Sequence, residues 1–156
     1  MKTMLRNTGG FLAGLFVAGL LIAVIEFLGF QMIKDPPPGL SSQDPAVQQA
    51  AIAQLPTIAF VMLLVAYGAG SFGGALVTAV ISQHYRLLTA GWLGLLLWCA
   101  AFFWLLQIPS PPLAWASLAV IPLATLAGAI MAFAVRSDPP DSVQPYDMRK
   151  KGMACK

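Results

Sequence analysis

Charge is what this sequence has least of. Nine lysines and arginines and six acidic residues are spread over 156 positions, so 10% of the chain is charged. A water-soluble domain carries about 25%, and a soluble globular fold is therefore excluded at the outset. Histidine is nearly missing. His84 is the only one, and it falls in a short polar turn, so no apolar segment offers an imidazole to haem, chlorophyll or copper. Cysteine is scarce too. Cys99 lies within an apolar run and Cys155 near the end of the chain, a placement that supports neither a disulfide nor a CxxC reading. Cys155 stands second from the end, which excludes a prenylation box. Acidic residues within the apolar runs reduce to Glu26 alone. One such acid and one buried cysteine cannot assemble a metal cluster, and no cofactor is expected. His84 has no acidic neighbour in sequence and no nucleophile elbow, so an enzyme is not expected either. There is no GxxxxGK phosphate loop. The few dispersed basic residues exclude nucleic acid as a partner.

What is present is apolar. Hydrophobic residues make up 58% of the chain, and its mean hydropathy is +0.77. A hydrocarbon core of roughly 30 Å needs about 20 apolar residues per helix. Four runs meet or approach that length, at residues 10–33, 56–82, 87–108 and 113–135. The expected fold is all-α, an integral membrane four-helix bundle. It has a four-span domain over residues 1–135, an outer loop over 34–55 and a flexible cytoplasmic tail over 136–156. Lys2, Arg6, Arg86, Arg136, Arg149, Lys150, Lys151 and Lys156 all fall on one side of these spans, and Lys34 alone on the other. The positive-inside rule then places both termini in the cytoplasm. The first run is too long for a signal peptide and lacks a small-x-small cleavage site, so it is expected to stay as an anchor.

The chain is organised around its glycines. Gly68, Gly70, Gly73 and Gly74 would each cost close to 1 kcal/mol relative to alanine in a helix in water. Within a bilayer, helices associate by close backbone approach, and small residues permit it. Ala66, Gly70, Gly74, Thr78 and Ser82 recur every four residues and predict a flat seam along the second span. Gly10, Gly14, Ala18, Ile22 and Glu26 form a similar row on the first, beginning after an Asn7-Thr8 cap. Ordinary helix packing and a homodimer contact both fit Gly10 and Gly14. Ala124, Gly128 and Ala132 give the fourth span its own seam.

The outer loop opens with Asp35-Pro36-Pro37-Pro38-Gly39, a rigid polyproline piece before a turn. Asp44 then reads as an N-cap with Pro45 at the first helical position. Val47, Ala50, Ala51 and Leu55 would share one face of a short amphipathic helix lying on the membrane, which either packs over the mouth of the bundle or docks a partner. In the third span, Trp92 and Trp104 fit the two interfacial belts, while Trp98, Phe102 and Phe103 are expected to face lipid or a partner. Trp115 anchors the fourth span. Pro122 should kink it and leave the carbonyl of Leu118 to be satisfied by a neighbour. Arg149, Lys150 and Lys151 can rest on anionic headgroups at about 1 kcal/mol per charge, or stay solvated.

Glu26 is the residue able to carry chemistry, because an ionisable group within a span is costly. It lies about 24 Å above Gly10 on a helix, in the outer quarter of the bilayer and within reach of interfacial water. A structural or interfacial carboxyl and a proton- or ion-coupling one are both open. Four helices with an acid in the first are similar to the small multidrug-resistance carriers, although the outer loop here is longer. Taken together, Glu26, Pro36-Pro37-Pro38-Gly39-Leu40 and Ala66-Tyr67-Gly68-Ala69-Gly70-Ser71-Phe72-Gly73-Gly74 resemble a group of small bacterial four-helix membrane proteins of unknown function. That resemblance covers residues 6–135 and implies a bacterial inner-membrane setting without implying an activity. Two functions are expected to compete. One is a non-catalytic membrane subunit, self-associating or accessory to a larger complex. The other is a small proton-coupled carrier using Glu26, with Tyr67, Ser71 and Thr78 as polar lining. A lipid-binding or stress-related role is a weaker third.

Overall fold

The computed structural model describes residues 2–33, 37–40, 42–82, 85–107 and 111–135. The expectations for Lys34, His84 and the tail with Arg149, Lys150 and Lys151 lie outside these residues. The chain forms α1 (Lys2–Gln31), α2 (Pro45–Ala53), α3 (Thr57–Ile81), α4 (Arg86–Gln107), α5 (Pro112–Trp115) and α6 (Ser117–Val135). Among the described residues there is no strand. Four segments, α1, α3, α4 and α5 with α6, are long and apolar enough to cross a bilayer. The protein is an all-α, multi-pass membrane bundle.

α3 is the hub, touching α1, α4, α5 and α6. Its buried face is almost entirely small: Ala66, Gly70, Ser71, Gly74, Ala75, Thr78 and Ala79. α1 packs antiparallel on it. Gly10 meets Ile81 and Ser82, Gly14 meets Thr78 and Gly74, Ala18 meets Gly74 and Gly70, and Ile22 meets Gly70. The four-residue row of one helix thus mates in register with that of the other, and bare backbone lies on bare backbone. The Thr78 hydroxyl fills the space that a side chain at residue 14 would need, against the Gly14 α-carbon. Cα–H···O contacts of this kind recur at helix interfaces.

α6 runs parallel to α3, with Gly68 against Val120 and Gly128 against the backbone of Phe72. α4 returns antiparallel to α6, with Gly94 against Thr125. One core cluster joins Ala18, Leu93, Leu97, Ala101 and Ile121. A second, nearer the α3–α4 turn, is built of alanines alone: Ala75, Ala79, Ala90, Ala129 and Ala132. The beginning of α1 and the end of α6 lie at the same end of the bundle, where Arg86 stacks over the Phe133 ring at 5.9 Å.

Four local expectations are corrected. α1 begins at Lys2, so Asn7 and Thr8 are helical and not a cap. Within a bilayer every backbone group must be bonded internally, so a helix end is placed further out, in water. The fourth span, expected as one run, is interrupted at Ala116 between α5 and α6. In the loop between α1 and α3, Asp44 caps α2 by accepting from Ala46 N–H at 2.9 Å. The buried side of α2, however, is Ala51 and Ile52 with Leu55 half-buried, while Val47 and Ala50 are exposed. Val47 instead packs locally on Gly39, whose φ of +100° requires glycine. Cys99, finally, is not buried but exposed on the outer surface of α4.

Candidate functional site

Glu26 occupies the next step of the mated rows beyond Ile22, opposite the fully buried Ala66. The register gives out there. One turn on, Gly29 lies against Met62, and the helices leave between them a pocket of about 220 Å³. Glu26 forms one wall, with Phe30, Ala59, Met62, Leu40 and Leu55 among the others. Leu40 and Leu55 flank α2 in sequence, so the loop between the first two spans roofs the pocket. The walls are apolar apart from the carboxyl group, which is exposed on the bundle surface. Among the described residues no lysine or arginine is paired with it.

The structure does not bring the other polar candidates to this pocket. Thr78 sits at the level of Gly14, on the order of 18 Å along α1 from Glu26. Ser71 and Thr78 are completely buried, and their hydroxyls have no hydrogen-bond partner among the described residues. The remaining buried polar groups are satisfied locally. Ser117 Oγ donates to the Ala114 carbonyl at 2.7 Å and Thr125 Oγ1 to the Ile121 carbonyl at 2.8 Å, and Ser82 Oγ accepts from Thr89 Oγ1 at 3.2 Å. Of the fourth-span seam, Gly128 and Ala132 are buried and Ala124 is half-buried, with Ile121, Thr125 and Ala129 completing the covered face. No group of three histidine, cysteine or acidic residues able to hold a metal exists among the described residues.

The expectation that a neighbour satisfies the Leu118 carbonyl is met, by a residue expected to face lipid or a partner. Pro122 deprives the Leu118 carbonyl of its helical donor, and the neighbour that replaces it is Trp98, whose Nε1–H donates at 3.0 Å. Trp98 therefore turns into the α4–α6 contact and not toward lipid. Phe102 stacks on it at 5.3 Å and meets Trp115 edge-on at 6.5 Å, tying α4 to the short α5. The signal was present in the sequence as an orphaned acceptor and a tryptophan one short turn away on the adjoining span. Phe103, by contrast, is exposed as expected of a lipid-facing ring.

Two lateral grooves complete the surface. One of about 580 Å³ runs between α4 and α6 past Gly91, Gly94, Trp98, Pro122 and Thr125. The other, about 570 Å³, lies between α1 and α4 and is lined by Thr8, Thr89, Trp92, Leu96 and Cys99. Both have largely apolar walls. The chemistry that the described residues can offer is thus narrow: a single carboxyl at the rim of an apolar pocket, able to hold a proton or meet a cation. No known family, characterised protein or solved structure matches the chain.

Proposed function

We propose that this chain is a non-catalytic accessory subunit of a larger membrane assembly, set in a bacterial inner membrane with both termini cytoplasmic. The observation that carries the reading is the composition of the bundle's centre. Among the described residues its buried polar side chains are the five hydroxyls of Ser71, Thr78, Ser82, Ser117 and Thr125, without a charged group. A carrier needs a wet, ionisable path, since charge in a dry bilayer is costly. Here the one acid lies at the periphery, and the glycine seams are filled from within by α1 and α6. Gly10 and Gly14 are consumed in the α1–α3 contact, which favours a partner of a different kind over self-association through that motif. Extraction from native membranes in a mild detergent should yield a defined complex containing a second polypeptide. A stable lone monomer would contradict the reading.

The carrier reading keeps one supporting observation, the Glu26 carboxyl in the wall of an apolar pocket. Proteoliposome flux under a pH gradient separates the two. The accessory reading expects no flux from the wild type or from Glu26→Gln, whereas a carrier shows flux that Glu26→Gln abolishes.

A further inference from the structure

Glu26 and α1 together indicate what kind of partner fits. α1 is held to the bundle along one narrow row, with only 11% of its apolar stretch buried against 28% for each of the other spans. The flank of α1 that carries Glu26 also presents Leu12, Phe16 and Phe30 outward. A helix so little covered can lie against a second helix along its whole length. Near the outer end of the same helix, the Glu26 pocket offers an apolar channel with a single carboxyl in its wall. That is the complement of a lysine or arginine side chain, whose aliphatic stem packs on apolar surface while its cationic head seeks an oxygen. The chain's own spans contain no lysine or arginine at that depth, and its only basic residue on that side is Lys34.

We infer that the Glu26 pocket receives a lysine or arginine side chain from a transmembrane helix of a partner protein laid along α1, the pair forming in the outer quarter of the bilayer. The inference rests on the accessory-subunit reading and gives that partner its chemistry. An acid in hydrocarbon is expensive alone and much less so beside a cation. Removing one member of such a desolvated pair is correspondingly disruptive.

The test uses the full chain in its native membranes, extracted into polymer nanodiscs and resolved by native electrophoresis. Glu26→Gln and Glu26→Lys are expected to lower the assembled fraction at least tenfold. Unchanged helicity and unchanged heat unfolding of both variants show that the chain itself still folds, and Glu26→Asp retains part of the assembly. Suppressors of Glu26→Lys should then map to a membrane-embedded lysine or arginine of the partner, changed to an acid.

Assembly of Glu26→Gln at wild-type levels overturns the inference while leaving the accessory reading intact. So does suppression that maps to Lys34, which places the pair within this chain or between its copies. So does an amino lipid lost from Glu26→Gln particles whose protein assembly is unchanged. A wild-type protein that runs as a lone monomer overturns the accessory reading and the inference with it.

Discussion

A methyl group is the smallest change that distinguishes the glycines of this chain. A Cβ at Gly128 would strike the backbone of Phe72, and one at Gly14 would strike Thr78 and the Gly74 carbonyl. Backbone cannot step aside, so the helices themselves must part. Gly128→Ala should cost about 1–3 kcal/mol, the usual penalty of overpacking a closed contact. Gly19 and Gly91 meet nothing within 4 Å, and alanine there should be neutral or stabilising by up to about 1 kcal/mol. Reversible unfolding in mixed micelles measures both, and equal losses at all four positions would contradict the seams. The Trp98–Leu118 bond makes a second, sharper prediction. Trp98→Phe should cost about 1 kcal/mol, a common value for a hydrogen bond between membrane helices. Pro122→Ala restores an N–H to residue 122 and with it the helical donor for Leu118. In that background Trp98→Phe should lose most of its effect, a coupling that a double-mutant cycle reads directly.

At the scale of elements, the spans and their seams were legible because small residues at four-residue spacing leave few other uses within a bilayer. Which of the small-residue rows mate was not legible, because several spans carry one; the structure sets the row of α1 antiparallel on that of α3. The direction of Trp98 was not legible: whether a ring on α4 faces lipid or α6 depends on how two helices are rotated, which periodicity in α4 alone does not fix. The break at Ala116 carries no proline or glycine of its own, and α2 turns Ile52 inward, not Val47, because Gly39 has already claimed Val47 within the loop. Glu26 could be singled out by type, but its pocket could not, since Leu40 and Leu55 reach it only through the folded loop. The α2 cap supplies a test at this scale. Asp44→Ala removes the acceptor for Ala46 N–H and should cost about 1 kcal/mol of local stability. Hydrogen exchange should accelerate across Pro45–Ala53 and stay unchanged in α3, whereas acceleration spreading into α3 would show that the loop helix is a structural part of the bundle.

The whole molecule is best understood through what occupies its middle. α3 meets its neighbours with alanine, glycine, serine and threonine, so the helices approach closely and little volume is left for water. Van der Waals contact between backbones, individually weak, holds such a bundle together collectively. α1 is the least covered of the spans and carries the one acid of the spans near its C-terminal end, so the chemistry available to other molecules lies at the edge and not at the centre. The most direct test of a dry, closed centre is thiol accessibility at Ser71. With Cys99 and Cys155 replaced by alanine, Ser71→Cys in sealed vesicles should resist a membrane-impermeant maleimide added from either side. Labelling from both sides would show a continuous aqueous route past the glycine face and contradict the account.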